Sequence, residues 1–237
     1  MLELPERVFL ALFAAAIAAT LAGQLWRGGN ARAGALLKAL IQLPLFMLAV
    51  YLAYHSGALD RRLVSLLEIL PGLAAGHLIF AASVLATHGS REDALTVLVD
   101  LRSLWQFFVN NPNLALRTIQ LSFTEELIYR AVFQVLMVAL LGPWPGVLLT
   151  AALFAVSHEH VFKNTLRETA EFVAFSLLLG AVYYATSSLA AVVAIHAVRN
   201  FEIAELEFSA RAHELGSEEA AQQEFDQKYR QESAQTS

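Results

Sequence analysis

The 237-residue chain has no cysteine, which removes disulfides, thiolate metal sites and cysteine nucleophiles from consideration and leaves the redox compartment unread. Charge is also scarce. Asp, Glu, Lys and Arg make up 16% of the chain, against about 25% in soluble domains. Hydrophobic residues reach 57% and mean hydropathy is +0.53, the balance of a membrane protein. There is no basic block, so nucleic acid is not an expected partner. The formal charge of -5 comes mostly from the C-terminal stretch, where Glu218, Glu219, Glu224, Asp226 and Glu232 outnumber Lys228 and Arg230.

What is there is a series of long apolar runs. Spanning helices need about 20 mainly apolar residues, and on that criterion the sequence predicts an all-α transmembrane bundle with seven spans near 8–26, 36–54, 63–86, 115–141, 144–162, 171–187 and 189–206. The first follows Glu3, Glu6 and Arg7 instead of a basic region and exceeds a signal-peptide core in length, so it reads as a retained span. Between the third and fourth spans, 90–113 alternates Leu95, Leu98, Leu101, Trp105 and Phe108 with Asp100 and Arg102. That pattern suits an amphipathic helix on the membrane surface or a connector packed on the bundle. Gly142-Pro-Trp-Pro-Gly146 reads as a tight hairpin turn, and from Gly216 onward the chain reads as a solvated, partly disordered tail. The organisation expected is 1–114 for the first spans and surface helix, 115–206 for a functional core and 207–237 for the tail.

Lys and Arg favour an N-terminus outside and a C-terminus inside. Arg27, Arg32, Lys38, Arg91, Arg102, Arg117, Lys163, Arg167, Arg211, Lys228 and Arg230 fall on one side, and only Arg7, Arg61 and Arg62 on the other. Gly72-x-x-x-Gly76 has the spacing of a close helix–helix approach, a pattern also common by chance. Glu68 and His77, on the same span, read as ordinary interior or interfacial groups that could join a polar network.

The costly residues are those inside the apolar runs. Glu125 and Glu126 adjoin in Leu121-Ser-Phe-Thr-Glu-Glu-Leu-Ile-Tyr-Arg130, and a charge at a span centre costs on the order of 2.5–3.5 kcal/mol on insertion scales. Residues four apart share a helical face. Glu126 and Arg130 therefore pair, while Glu125, rotated by about 100°, faces elsewhere. Phe154 and His158 repeat the spacing on the fifth span, and His196 and Asn200 on the seventh. With the orientation above, all three spans carry these groups in the cytoplasmic half, where they can meet.

A carboxylate, two imidazoles and an amide in a partly dry cavity suit hydrolysis of an amide bond by activated water. Glu125, His158 and His196 could equally hold a divalent metal such as zinc. His158-Glu159-His160 lacks the spacing that puts two imidazoles on one helical face. Ser122, Ser157 and Ser176 lie outside any nucleophile-elbow turn, so a serine mechanism is disfavoured.

Glu125-Glu126-x-x-x-Arg130, Phe154-x-x-x-His158 and His196-x-x-x-Asn200, in this order on successive spans, resemble the CAAX protease and bacteriocin-processing family, also called the Abi family. Its members are intramembrane proteases related to the type II CAAX prenyl endopeptidases. The resemblance covers about residues 115–205. It implies that Glu125 activates water with help from His158, that His196 and Asn200 polarise the scissile carbonyl, and that Glu126 and Arg130 brace the site. It also leaves metal dependence open. The partners it implies are the lipid bilayer and a membrane-associated peptide or protein; bacterial relatives are associated with peptide maturation, self-immunity, signalling-peptide processing and protein sorting. The short, Ala-rich chain has a bacterial look, which makes a bacterial plasma membrane the expected location. Two other classes stand beside this reading: a non-catalytic immunity or scaffold protein on the same fold, and a proton-coupled transporter, which would show paired broken helices in a repeat that this sequence lacks.

Overall fold

The computed structural model describes residues 2–25, 31–59 and 66–236, without the side chains of 24–39, 66, 88, 159, 160 and 229–236. Every regular element among them is a helix: α1 (Leu4–Leu25), α2 (Ala31–His55), α3 (Leu66–His88), α4 (Arg91–Val99), α5 (Leu101–Asn110), α6 (Pro112–Glu126), a π-helical segment (Leu127–Gln134), α7 (Val135–Leu141), α8 (Pro143–Val156), a 3-10 turn (Glu159–Phe162), α9 (Leu166–Thr186), α10 (Leu189–Leu215) and α11 (Glu218–Thr236). Stretches within α1, α3 and α9 are long and apolar enough to cross a membrane, Leu4–Gly23, Leu67–Thr87 and Leu166–Thr186; Leu40–His55 and Pro143–Val156 are apolar but shorter. The other expected spans correspond to α6 through α7 and to α10, which carry the charged residues. Arg27, Arg61, Arg62 and the start of the third span at 63 lie outside the described residues, as do the side chains of Arg32, Lys38 and Arg230.

The main core gathers Phe9 and Phe13 of α1, Leu45 and Ala49 of α2, Leu127 and Phe133 of the π segment, Phe154 of α8, Phe175 and Leu179 of α9 and Ile195 of α10. Among the described elements, α3 and α10 share the most extensive contact. The glycine pair makes it. A Cβ on Gly72 would stand 2.9 Å from the Ala191 carbonyl oxygen, and one on Gly76 would stand 2.8 Å from that of Ile195, so only hydrogen permits this approach. Polar contacts extend the seam at both ends. Glu68 accepts from the Ser188 hydroxyl that caps α10, and His77 Nδ1 lies 2.5 Å from Glu202 Oε1 while its Nε2 meets the Leu98 carbonyl oxygen at 3.2 Å. Glu68 and His77 are thus cross-helix contacts.

Several boundaries differ from the sequence reading; α9 opens at Leu166, before the expected 171, and α10 runs to Leu215, past the expected 206. The single surface helix is two, because Asp100 ends α4 and caps α5 by accepting from the Ser103 amide. Leu95, Trp105 and Phe108 remain exposed, whereas Phe107 is buried with Phe201, Ala204 and Phe225. The fifth helix stops at Val156, six residues short of the expected 162, and the chain tightens into the 3-10 turn before Thr165 opens α9 with a capping box to Glu168. The tail, expected to be solvated and partly disordered, forms the helix α11 and packs on the bundle. α11 buries Ala221 and Phe225, Gln222 Nε2 donates to Asn111 Oδ1 at 2.8 Å, and Arg211 bridges Glu224 at 2.7 Å. The expected hairpin turn is present, with Gly142 at φ +88 between α7 and α8 and Pro143 opening α8.

Candidate active site

The site begins where a helix changes its pitch. α6 runs to Glu126 and continues directly into the π segment, whose i→i+5 bonding widens the turn; such segments are frequent at functional sites. Arg130 and Gln134 are both buried there and both reach α9. Arg130 Nη2 donates to the Ser176 carbonyl oxygen at 3.3 Å and hydroxyl at 3.1 Å, and Gln134 Nε2 donates to the Gly180 carbonyl oxygen at 2.9 Å.

Glu126 is fully buried and serves two cations or donors at once. Its Oε2 lies 3.2 Å from Arg130 Nε, off the line of a hydrogen bond, so that contact is ionic in character. Its Oε1 lies 2.8 Å from His196 Nδ1. A carboxylate oxygen accepts, so Nδ1 carries the proton and His196 turns Nε2 toward Glu125 Oε2, 3.7 Å away. The Arg130 guanidinium also lies over the Phe154 ring, 4.9 Å from its centre.

His158 is set by the early end of α8. Backbone amides 157 and 158 bond to Leu153 and Ala155, which leaves the Phe154 carbonyl to side chains. It accepts from the Ser157 hydroxyl at 2.7 Å and from His158 Nδ1 at 2.7 Å. Nδ1 again carries the proton, and Nε2 faces Glu125 Oε2 at 3.8 Å. One oxygen of a partly exposed glutamate thus stands before two imidazole Nε2 atoms. Both separations exceed a direct hydrogen bond, and a water beside them, with two protons to donate, can bond to Glu125 and one of the two imidazoles.

Phe154 walls the site as its spacing predicts, 4.5 Å from the His158 ring and 5.9 Å from that of His196, and Phe172 and Phe175 complete the wall. Asn200, one turn past His196, is half-buried and takes no part in the contacts that join Glu125, His158 and His196 among the described residues. No group of three His, Asp or Glu side chains among the described residues is arranged as a metal site, and the steps below are written without a metal. The side chains of Glu159 and His160 lie outside the described residues. Ser157 sits 3.3 Å from a His158 nitrogen whose proton is already committed, and Ser176 is engaged by Arg130 and the Ala151 carbonyl, which leaves neither with a base. Ser122 is buried with no hydrogen-bond partner among the described residues. Tyr129, Gln134 and the α9 phenylalanines were not singled out from sequence, and Ser176 was weighed only as a nucleophile. Tyr129 alone carries a signal, four residues after Glu125.

A helical membrane protein with a carboxylate between two imidazoles inside its bundle has the makings of an intramembrane hydrolase. Residues 103–201 match the family model described as Type II CAAX prenyl endopeptidase Rce1-like, and this part of the chain is a domain of the CAAX protease family. No curated protein and no solved structure matches the chain. The matched segment opens inside α5 and closes at Phe201, so it contains Glu125, Glu126, Arg130, Phe154, His158, His196 and Asn200 and excludes α1 to α4.

Proposed function

We propose that the chain is an intramembrane endopeptidase that hydrolyses a peptide bond in a membrane-associated peptide or protein by glutamate-activated water. The observation that carries this reading is the position of Glu125 Oε2, 3.8 Å from His158 Nε2 and 3.7 Å from His196 Nε2. A water bonded to Glu125 and His158 presents a lone pair to the scissile carbonyl carbon. As the C–O bond forms, Glu125 takes the proton. The C–N bond then breaks and the leaving amine receives that proton from Glu125. The scissile carbonyl oxygen is polarised from α10, by the Asn200 amide as the neutral donor and by His196 from Nε2 when its ring carries both protons. Glu126 and Arg130 hold His196 in place.

Seven spans, an N-terminus outside, a C-terminus inside and a bacterial plasma membrane belong to the same reading, supported by the apolar helices and the Lys and Arg bias. The division at 115 and 207 does too. The test compares new peptide termini in membranes carrying the wild-type chain or Glu125→Gln at matched levels. Termini that need Glu125 support the reading; identical sets, with both proteins inserted and the natural host's peptides present, sink it.

A further inference from the structure

Beside the reacting atoms lies a hydroxyl relay with no assigned role. Tyr129, on the π segment, donates from its hydroxyl to Ser157 Oγ at 3.0 Å, and Ser157 donates in turn to the Phe154 carbonyl at 2.7 Å. Ser157 Oγ is also 3.3 Å from His158 Nδ1. A serine hydroxyl has one proton and can face only one acceptor well. While Tyr129 occupies its lone-pair side, that proton points at Phe154. Nδ1 of His158 must then donate to the same carbonyl, and Nε2 is the basic nitrogen of the neutral ring.

The opposite tautomer has its own attraction. With a proton on Nε2, His158 would donate to the Glu125 carboxylate and occupy the oxygen that should receive the water proton. A Ser157 hydroxyl turned toward Nδ1 would support that state by donating to it. We infer that Tyr129 is a positioning residue that pins the Ser157 hydroxyl and so keeps His158 in its Nδ1-protonated, Nε2-basic form. This rests on the proposed hydrolysis for its purpose, although the tautomer itself is a property of the resting protein.

A clamp of this kind makes an unusual demand on variants. Tyr129→Phe keeps the ring against Phe154, 5.0 Å away, and removes only the hydroxyl. It frees Ser157 to turn, and the yield of Glu125-dependent termini falls by about tenfold, the worth of one hydrogen bond's preference. Ser157→Ala removes the competing donor while Phe154 still accepts from Nδ1, so it stays within about twofold of wild type. The double variant then recovers to the level of Ser157→Ala. Residues that merely supported the fold would give additive losses. Ser157→Thr, which retains the hydroxyl, behaves as wild type.

The experiment uses the full chain in detergent with 15N-labelled histidine, the His158 signals assigned by a His158→Gln control, alongside the termini yield in membranes. Nitrogen shifts report which ring nitrogen carries the proton. The expected result is Nδ1–H in wild type and in the double variant, and a shift toward Nε2–H in Tyr129→Phe. An unchanged tautomer in Tyr129→Phe, or a double variant no better than Tyr129→Phe, overturns the inference. If Glu125-dependent termini never appear, the hydrolase reading fails while the nitrogen signals still decide the clamp.

Discussion

Glu126→Gln separates what holds the bundle together from what tunes its chemistry. The glutamine has the same shape, so packing is kept, but Arg130 loses the carboxylate 3.2 Å away and keeps its bonds to Ser176 and its place over the Phe154 ring. Both Glu126 and Arg130 are fully buried, and removing one member of such a pair costs about 3–5 kcal/mol. At about 2–4 °C per kcal/mol for a chain of this size, the Tm falls by roughly 6–20 °C. Glu126→Gln with Arg130→Met leaves no stranded charge and recovers most of that loss. Activity does not recover with it. His196 Nδ1 then donates to a neutral amide oxygen in place of a carboxylate, a difference of about 1.4 kcal/mol, or about tenfold in rate. Thermal melts in detergent and termini yields in membranes measure the two effects separately. A single variant that melts like wild type, or a double variant that regains full cleavage, would refute the role given to Glu126.

Gly76→Leu drives a side chain into the Ile195 backbone 2.8 Å from its first carbon, where neither helix can give; α3 must part from α10, which costs at least the 1–3 kcal/mol typical of overpacking, and melting shows it directly. Because α10 carries His196, cleavage falls with stability at this position, and full activity in a stable Gly76→Leu protein would contradict the seam. At α11, the Arg211 hydrogen bonds hold the Glu224 carboxyl below its ordinary value of 4.5. A carboxyl with a lowered folded-state pKa stabilises above its unfolded value and loses that support as pH falls through the folded one. Protection of the α11 amides, their exchange corrected for its intrinsic pH dependence, is therefore expected to be flat from neutral pH down to about 4.5 and to fall below it, and a fall already near pH 6 would point to another group.

Much of the site could be read from residue types alone, because a charge in an apolar run needs a reason. Glu125, His158 and His196 stood out on that ground, and helical spacing grouped them with Glu126, Arg130, Phe154 and Asn200. The π segment could not be read this way, since Glu126 and Arg130 also suit an ordinary α-helix four residues apart. Tyr129 was hidden, and Ser157 visible only as a disfavoured nucleophile, for a different reason. A tyrosine within a helix and a serine at a helix end are cheap in any setting, and their importance lies in which way a proton points. Gly72 and Gly76 were visible as a pattern common by chance, and only the facing backbone of α10 gives it meaning. The docking of α11 was masked by its polar composition, although Ala221 and Phe225, four apart, were its one apolar edge.

The seam between α3 and α10 bears on how this enzyme can be cut and moved. α3 lies wholly before residue 103, outside the matched family segment, yet it lies backbone to backbone against the helix that carries His196 and holds Glu202 through His77. A cassette cloned from 103 to 201 would uncover the face of α10 that seats on Gly72 and Gly76 and, by ending at Phe201, would omit Glu202, the residue that His77 engages. The smallest transplantable unit therefore opens before Glu68, and family boundaries drawn from sequence likeness fall inside a single mechanical piece.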